Sequence, residues 1–182
     1  MSDYAEQTNL VGSSGEMVDI LDGAALVDPK SAFAAAVADG RAFAFASVAY
    51  DPDAHDTILG VKNEDTDMDF HVQTIIASSD TASQIQIFEA DNPTMAGTAV
   101  TGSNMNRASG RIAKATAKAD ETGNSEQGSS YPKLFSRDLL AANTAKQIDV
   151  NGAIVLPTNK MIGVDLTTAA TAANVTILGW FE

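Results

Sequence analysis

The residues most informative about the fold class are Gln84-Ile85-Gln86-Ile87-Phe88-Glu89. Successive side chains of a β-strand point to opposite faces, so Ile85 and Ile87 share one face of this segment and the two glutamines share the other. The same alternation occurs in Asn174-Val175-Thr176-Ile177. One face of each strand is therefore predicted to be buried, and the other is predicted to be wet.

Similar short segments recur through residues 41–182, separated by turns rich in Gly, Asn, Asp and Pro. This pattern predicts an all-β domain, an antiparallel β-sandwich or barrel, of which the sandwich is favoured. One of the segments, residues 111–119, is rich in alanine and lysine and would also tolerate a helix. The predicted strands are Ala42–Tyr50, Thr57–Asn63, Phe70–Ser78, Gln84–Ala90, Gly97–Asn104, Arg111–Ala119, Ile154–Pro157, Met161–Leu166 and Val175–Phe181.

The remaining segments lack this period of two. Residues 1–40 are predicted to form an extended N-terminal arm that carries one short helix, Pro29–Gly40, with the proline in its first turn and Gly40 as its cap. Asp120–Ser130 has no large apolar residue and is predicted to be a long exposed loop. Phe135–Ala142 is predicted to be a second short helix. The predicted domain organisation is thus an arm, 1–40, and a sandwich, 41–182.

Charge and composition exclude several function classes. The chain holds 24 Asp and Glu against 11 Lys and Arg, a formal net charge of -13, so most of its surface would repel a phosphate backbone. No cysteine is present, which excludes disulfides and thiolate chemistry. The first residues, Met1–Gln7, do not have the pattern of a secretion signal, and no apolar run approaches the roughly 18 residues of a membrane span. We expect no nucleic-acid partner and no membrane partner.

The best candidate for a metal site is the acidic segment Asn63–Asp69, since carboxylate oxygens are the ligands that Ca²⁺ and Mg²⁺ prefer. Its weak candidate ligands, Asp65, Asp67 and Asp69, have the spacing that opens an EF-hand loop. However, Phe70 stands where that loop needs glycine, and Ile76 stands where it needs a bidentate acid. The favoured interpretation is a solvated acidic hairpin loop, with no metal and no cofactor.

The sequence shows no catalytic constellation. His55 and His71 are the only histidines, and neither lies in a recognised nucleophile, metal or phosphate-binding motif. His71 is opposite in parity to Phe70 and Val72, which predicts a position on the wet face of a strand. The protein is therefore predicted not to be an enzyme.

Two features indicate contact with other subunits. The first is a local basic stripe interleaved with small residues, which fits acidic loops such as Asp65–Asp69 on a neighbouring subunit, although a solvated strand face is an equal alternative. The second is Trp180, which is predicted to lie at an interface. The stripe consists of Arg107, Arg111, Lys114 and Lys118.

The order of segments over residues 41–182 resembles that of the small jelly-roll virion proteins of tailed bacteriophages and related archaeal viruses. That group includes capsid decoration and vertex proteins and some tail proteins. The resemblance implies a jelly-roll-like sandwich without catalytic residues, trimers or other symmetric clusters, and arms that bind the capsid lattice. The segments that carry it are Ile58–Asn63, Phe70–Asp80, Ile85–Glu89, Gly97–Asn106 and Val175–Glu182.

Together these observations predict a viral structural protein, either a capsid decoration (cement) protein or a vertex protein. Its expected partners are the major capsid protein or other virion proteins and further copies of itself, with a trimer favoured. Its expected location is the virion surface, after assembly in the host cytoplasm. The alternative is a receptor- or glycan-binding module of a tail or fibre, for which aromatic residues on loops would be expected.

Overall fold

The computed structural model describes residues 20–21, 24–25, 31–121 and 133–182. The chain forms two compact units, residues 1–31 and residues 32–182. In the first unit, strands β1 (Ile20–Leu21) and β2 (Ala24–Ala25) pair in antiparallel fashion. Residues 1–19, 22–23 and 26–30 of the predicted arm, and residues 122–130 of the predicted loop, lie outside the described residues.

The second unit opens with the helix α1, and its other described segments of regular secondary structure are all strands. No helix in the described part of the chain is long and apolar enough to cross a membrane. The helix and strands of the second unit are α1 (Ala32–Ala38), β3 (Ala42–Ala46), β4 (Thr57–Asn63), β5 (Phe70–Ser79), β6 (Ser83–Asp91), β7 (Thr98–Val100), β8 (Ser103–Asn104), β9 (Ala115–Glu121), β10 (Lys133–Leu140), β11 (Thr144–Leu156), β12 (Lys160–Leu166) and β13 (Ala173–Phe181).

The strands of the second unit form two antiparallel sheets, a six-stranded sheet in the order β10-β6-β12-β4-β9-β7 and a five-stranded sheet in the order β11-β5-β13-β3-β8. Without β7, β8 and β9, eight strands remain. In space these eight strands lie in the order β3-β13-β5-β11 in the five-stranded sheet and β4-β12-β6-β10 in the six-stranded sheet. When the eight strands are numbered along the chain, these orders are first-eighth-third-sixth and second-seventh-fourth-fifth. This is the strand order of a jelly roll. The predicted all-β sandwich is therefore confirmed.

The core lies between the two sheets. Ile85 and Ile87 are buried on the predicted face of β6, and Val175 and Ile177 are buried on β13. At one end of the core the rings of four phenylalanines meet at edge-to-face or tilted angles, with centroids 5.1–5.8 Å apart, which is a favourable arrangement for aromatic rings. These four are Phe43, Phe45, Phe70 and Phe181.

Helix α1 is shorter than predicted but ends where predicted. The Gly40 amide donates to the Val37 carbonyl (3.1 Å) and the Arg41 amide donates to the Ala36 carbonyl (2.8 Å), while Gly40 has a φ of 70°. This is a Schellman cap, in which glycine accepts the left-handed conformation without strain. The helix packs on Trp180 of β13 through Phe33 and its neighbours, so its contacts are with the sandwich strands.

The helix predicted at Phe135–Ala142 is wrong, because these residues mostly belong to strand β10, which pairs with β6. Phe135 and Leu139 are four residues apart, a spacing that also suits one face of a helix, and the pairing with β6 overrides it. Other predicted strands are corrected in their bounds: the strand predicted from Ala42 to Tyr50 ends at Ala46, and the strand predicted from Ile154 is the end of the longer strand β11. The strand predicted at Gly97–Asn104 is two short strands in different sheets, β7 and β8, and the strand predicted at Arg111–Ala119 begins only at Ala115.

We expect Gly152→Ala to lower the free energy of unfolding by about 1–3 kcal/mol. Gly152 has a φ of 79°, and a Cβ atom at this position would overlap the ring of Trp180. The matched control is Gly110→Ala, since a Cβ atom added at Gly110 would meet no heavy atom within 4 Å and Gly110 has no positive φ. Urea denaturation measures the free energy of unfolding of both variants. Equal stabilities of the two variants would contradict the packing of Gly152 on Trp180.

Candidate functional site

One side of the sandwich is built from two edge strands that follow each other in the chain. Strand β10 is the edge of the six-stranded sheet, and β11 is the edge of the five-stranded sheet. Lys146 of β11 ties the two together, since its Nζ donates to the Leu139 carbonyl (3.2 Å) and lies 2.6 Å from Asp138 Oδ1. We call this side the β10–β11 edge. It presents the outer backbone groups of two strands, of eight and thirteen residues.

Large apolar side chains are exposed on the β10–β11 edge. Leu139 is 70% exposed and Phe135 is 41% exposed, and Leu134 and Val155 are exposed to a similar extent as Phe135. The opposite edges of the two sheets are β7 and β8, which are only three and two residues long. Very short edge strands offer little backbone to an added strand, whereas long apolar ones invite it. The β10–β11 edge is therefore the better surface for contact through strand addition.

The predicted basic stripe is spread over a turn, an irregular segment and strand β9. Arg107 and Arg111 are exposed, Lys118 is half-buried, and Lys114 is exposed just before β9. Lys114 Nζ lies 3.2 Å from Oδ1 of Asp65, whose side chain is fully buried. The sequence predicts that this stripe pairs with the acidic loop of another subunit. In the structure, Lys114 makes this pairing with the acidic loop of its own chain.

The acidic loop is held by hydrogen bonds of its own. The Asp65 amide donates to Asn63 Oδ1 (2.8 Å), and the Asp67 amide donates to Asp65 Oδ1 (3.0 Å). The Asp69 amide donates to the Glu182 carbonyl (2.8 Å). Among the described residues, the three weak metal candidates Asp65, Asp67 and Asp69 do not form a cluster of acidic or histidine side chains that could hold a metal ion.

Opposing effects act on the pKa of Asp65. Burial raises it, but the hydrogen bond from the Asp67 amide and the bond and charge of Lys114 outweigh burial and hold the pKa below its ordinary value of 3.8. Such a group contributes stability above its unfolded pKa, and the contribution is lost as the pH falls through the folded pKa. Asp65 is therefore ionised at neutral pH and is one of the carboxylates that oppose unfolding there.

Lys114→Met is expected to destabilise the protein near neutral pH and to do so much less in acid. The substitution removes two of the causes that lower the pKa of Asp65, so the lost stability is the part present above pH 3.8. Urea denaturation at about pH 6 and about pH 3 measures the difference. The matched control is Lys118→Met, since Lys118 makes no ion pair with a described side chain. A pH-independent effect of Lys114→Met would contradict the pairing.

Trp180 lies inside the fold, where it is 4% exposed. Its ring stacks on His71 with a centroid distance of 4.9 Å, and its Nε1 donates to Glu182 Oε2 (2.9 Å). Helix α1 packs on the ring through Phe33. A side chain this buried offers little surface to another molecule. The ring of Trp180 is therefore not exposed for the predicted contact at an interface.

A polar network on the outer face of the six-stranded sheet is not evident from the sequence. In the amide orientation that satisfies its neighbours, Gln86 donates to Asp165 Oδ1 (2.9 Å) and to His55 Nδ1 (3.2 Å), and accepts from Arg137 Nε (2.7 Å). Gln86 and Asp165 are buried, although Gln86 lies on the face of its strand that was predicted to be wet. The signal that links them is their register across adjacent strands, with Arg137 and Asp165 paired to Gln86 from either side. The network ties β10, β6 and β12 together.

No protein-family model, curated protein or solved structure matches this chain.

Proposed function

We propose that this protein is a structural component of a viral particle, a capsid decoration (cement) or vertex protein that binds the shell and stabilises or decorates it. The observation that carries the proposal is a jelly roll whose two long edge strands on one side, β10 and β11, expose large apolar side chains. Jelly rolls are frequent among viral capsid domains, although a fold alone does not assign a function. The β10–β11 edge is the surface through which we propose that the subunits contact one another.

The β10–β11 edge fits contact between subunits. A strand added to β10 would pair with the backbone on the outer side of this edge strand, and it would cover exposed side chains such as Phe135 and Leu139. The occupant we propose is a further copy of this chain, and a trimer is the favoured assembly. Many copies on one lattice then bind strongly even when each contact is weak.

The charge of the protein fits a surface position better than an interior one. With a formal net charge of -13, the chain repels the phosphates of a packaged genome. The same charge is compatible with an outer surface that faces the medium and with a positively charged patch on the shell. We therefore place the protein on the virion surface, with the major capsid protein as its partner after assembly in the host cytoplasm.

The test is sedimentation of the purified protein with assembled shells of candidate major capsid proteins, at low and high salt. The expected result is that the protein sediments with one of the shells and saturates it at a fixed ratio of copies. Bovine serum albumin, another acidic protein, is the control for nonspecific trapping. A protein that stays in the supernatant with every shell, yet binds glycans on a glycan array, would replace the proposal with the tail or fibre glycan-binding module.

A further inference from the structure

Leu139 directs its backbone groups away from its own sheet. It lies opposite Gln84 of β6, and Gln84 uses its amide and its carbonyl on the far side, where both bond to Thr167 just after β12. In an antiparallel pair, two residues that lie opposite each other either exchange both backbone hydrogen bonds or exchange none. Leu139 and Gln84 exchange none, so the N–H and C=O groups of Leu139 point to the outer side of β10.

An ion pair occupies both of these backbone groups. The Leu139 amide donates to Asp138 Oδ1 (2.9 Å), and the Leu139 carbonyl accepts from Lys146 Nζ (3.2 Å), which lies 2.6 Å from Asp138 Oδ1. The hydrogen bond from Lys146, above all, holds the pKa of Asp138 below its ordinary value of 3.8, so Asp138 is ionised at neutral pH. We call Asp138, Lys146 and the backbone of Leu139 the edge latch.

The edge latch covers much of the backbone that β10 offers to an added strand. The regular pairing of β10 with β6 spans residues 136–140, because a bulge interrupts it between Leu134 and Ser136. Since the direction of the backbone groups alternates along a strand, only Arg137 and Leu139 of this stretch direct them outward. An added strand therefore needs the groups of Leu139 that the latch holds. Charged side chains, and lysine in particular, are a common protection of edge strands against unwanted pairing.

The edge latch is weak enough to open. The side chains of Lys146 and Asp138 are 34% and 41% exposed, and ion pairs on a protein surface contribute little free energy. Large apolar side chains lie beside the latch, and burying them favours association. The most exposed of them is Leu139, followed by Phe135. A second copy of this chain brings the same apolar residues, so the two copies would cover each other's exposed side chains.

We infer that the edge latch keeps β10 closed in the single protomer and opens when a second copy of this chain adds a strand there. The inference rests on the proposed function in one respect, since it takes a second copy as the occupant of β10. The latch makes the contact selective. A partner that covers Leu139 and Phe135 replaces the two hydrogen bonds of the latch and gains apolar contact, whereas a polar segment replaces the hydrogen bonds alone.

The test measures the protein concentration at which half of the chain is assembled, by light scattering on dilution series of the wild type, Lys146→Met and Lys118→Met. Both substitutions replace one lysine by the same apolar side chain, and Lys118 of β9 is separated from β10 by β6, β12 and β4. Because an exposed ion pair no longer has to open, the concentration for Lys146→Met is expected to be about two- to fivefold below that of the wild type. The concentration for Lys118→Met is expected not to fall. An equal or higher concentration for Lys146→Met than for Lys118→Met, or three chains that all stay monomeric, would overturn the inference.

A double variant locates the gain in assembly. Leu139→Lys, added to Lys146→Met, places a charge on the same edge strand, and the tighter assembly is expected to be lost. A double variant that assembles as tightly as Lys146→Met would place the gain on another surface and overturn the inference. The proposed viral function is tested separately, by sedimentation with shells. Tighter assembly of Lys146→Met in a protein that binds no shell would support the latch and reject the viral function alone.

Discussion

Phe45→Ala is expected to lower the free energy of unfolding by about 3–5 kcal/mol, the range measured when buried phenylalanines are truncated. Phe45 has no exposed surface and meets Phe70 edge to face, with ring centroids 5.8 Å apart. Gly102 lies so close to the Phe45 ring that a Cβ atom there would overlap it. Little room is left for neighbours to collapse into the space, so most of the lost packing becomes a cavity.

The measurement is urea denaturation followed by tryptophan fluorescence and circular dichroism. The matched control is Phe135→Ala, because Phe135 is the same residue type but is 41% exposed at the edge of a sheet. In protein dilute enough to be monomeric, Phe135→Ala is expected to lower the free energy of unfolding by less than about 1 kcal/mol. If Phe45→Ala unfolds at the same urea concentration as the control, the inner face of β3 has been assigned wrongly.

Leu139→Lys is expected to dissociate the proposed oligomer while leaving the protomer folded. Leu139 is 70% exposed in the protomer, so a lysine there meets solvent. In a contact that extends β10, the same lysine would be buried against an apolar surface. Truncation of a central interface residue costs about 2 kcal/mol or more, and a desolvated charge adds to that loss. Each contact is therefore expected to weaken by at least about thirtyfold.

Val48→Lys is the matched control, since Val48 is 67% exposed but lies outside both edge strands of the β10–β11 edge. It adds the same charge to a surface of similar exposure. Light scattering gives the mass of each variant, and circular dichroism checks the fold. An assembly that survives Leu139→Lys, or that is lost equally in Val48→Lys, would show that the subunits meet through another surface.

The sequence is most informative where structure is local. The alternation around Ile85 and Ile87 predicts both the strand and its buried face, and Gly40 marks the end of the helix through its backbone freedom. Phe135 and Leu139 are misassigned because a four-residue spacing suits a helix, while the strand that holds them is fixed by β6, nearly fifty residues earlier in the chain. Periodicity carries no information about such a partner.

The candidate sites depend on residues that are far apart in the chain, so the sequence predicts them poorly. Lys114 and Asp65 are 49 residues apart and still form an ion pair, which turns a predicted contact between subunits into one within the chain. The burial of Gln86 follows from its neighbours Asp165 and Arg137 on adjacent strands.

The central claim is that this jelly roll is an assembling structural protein, and its most direct test is the mass of the purified full chain in solution by light scattering, over a range of protein and salt concentrations. The claim predicts a closed oligomer of the 18.9 kDa chain, with three copies favoured, that dissociates only at the lowest protein concentrations. A mass of 18.9 kDa under every condition would contradict it.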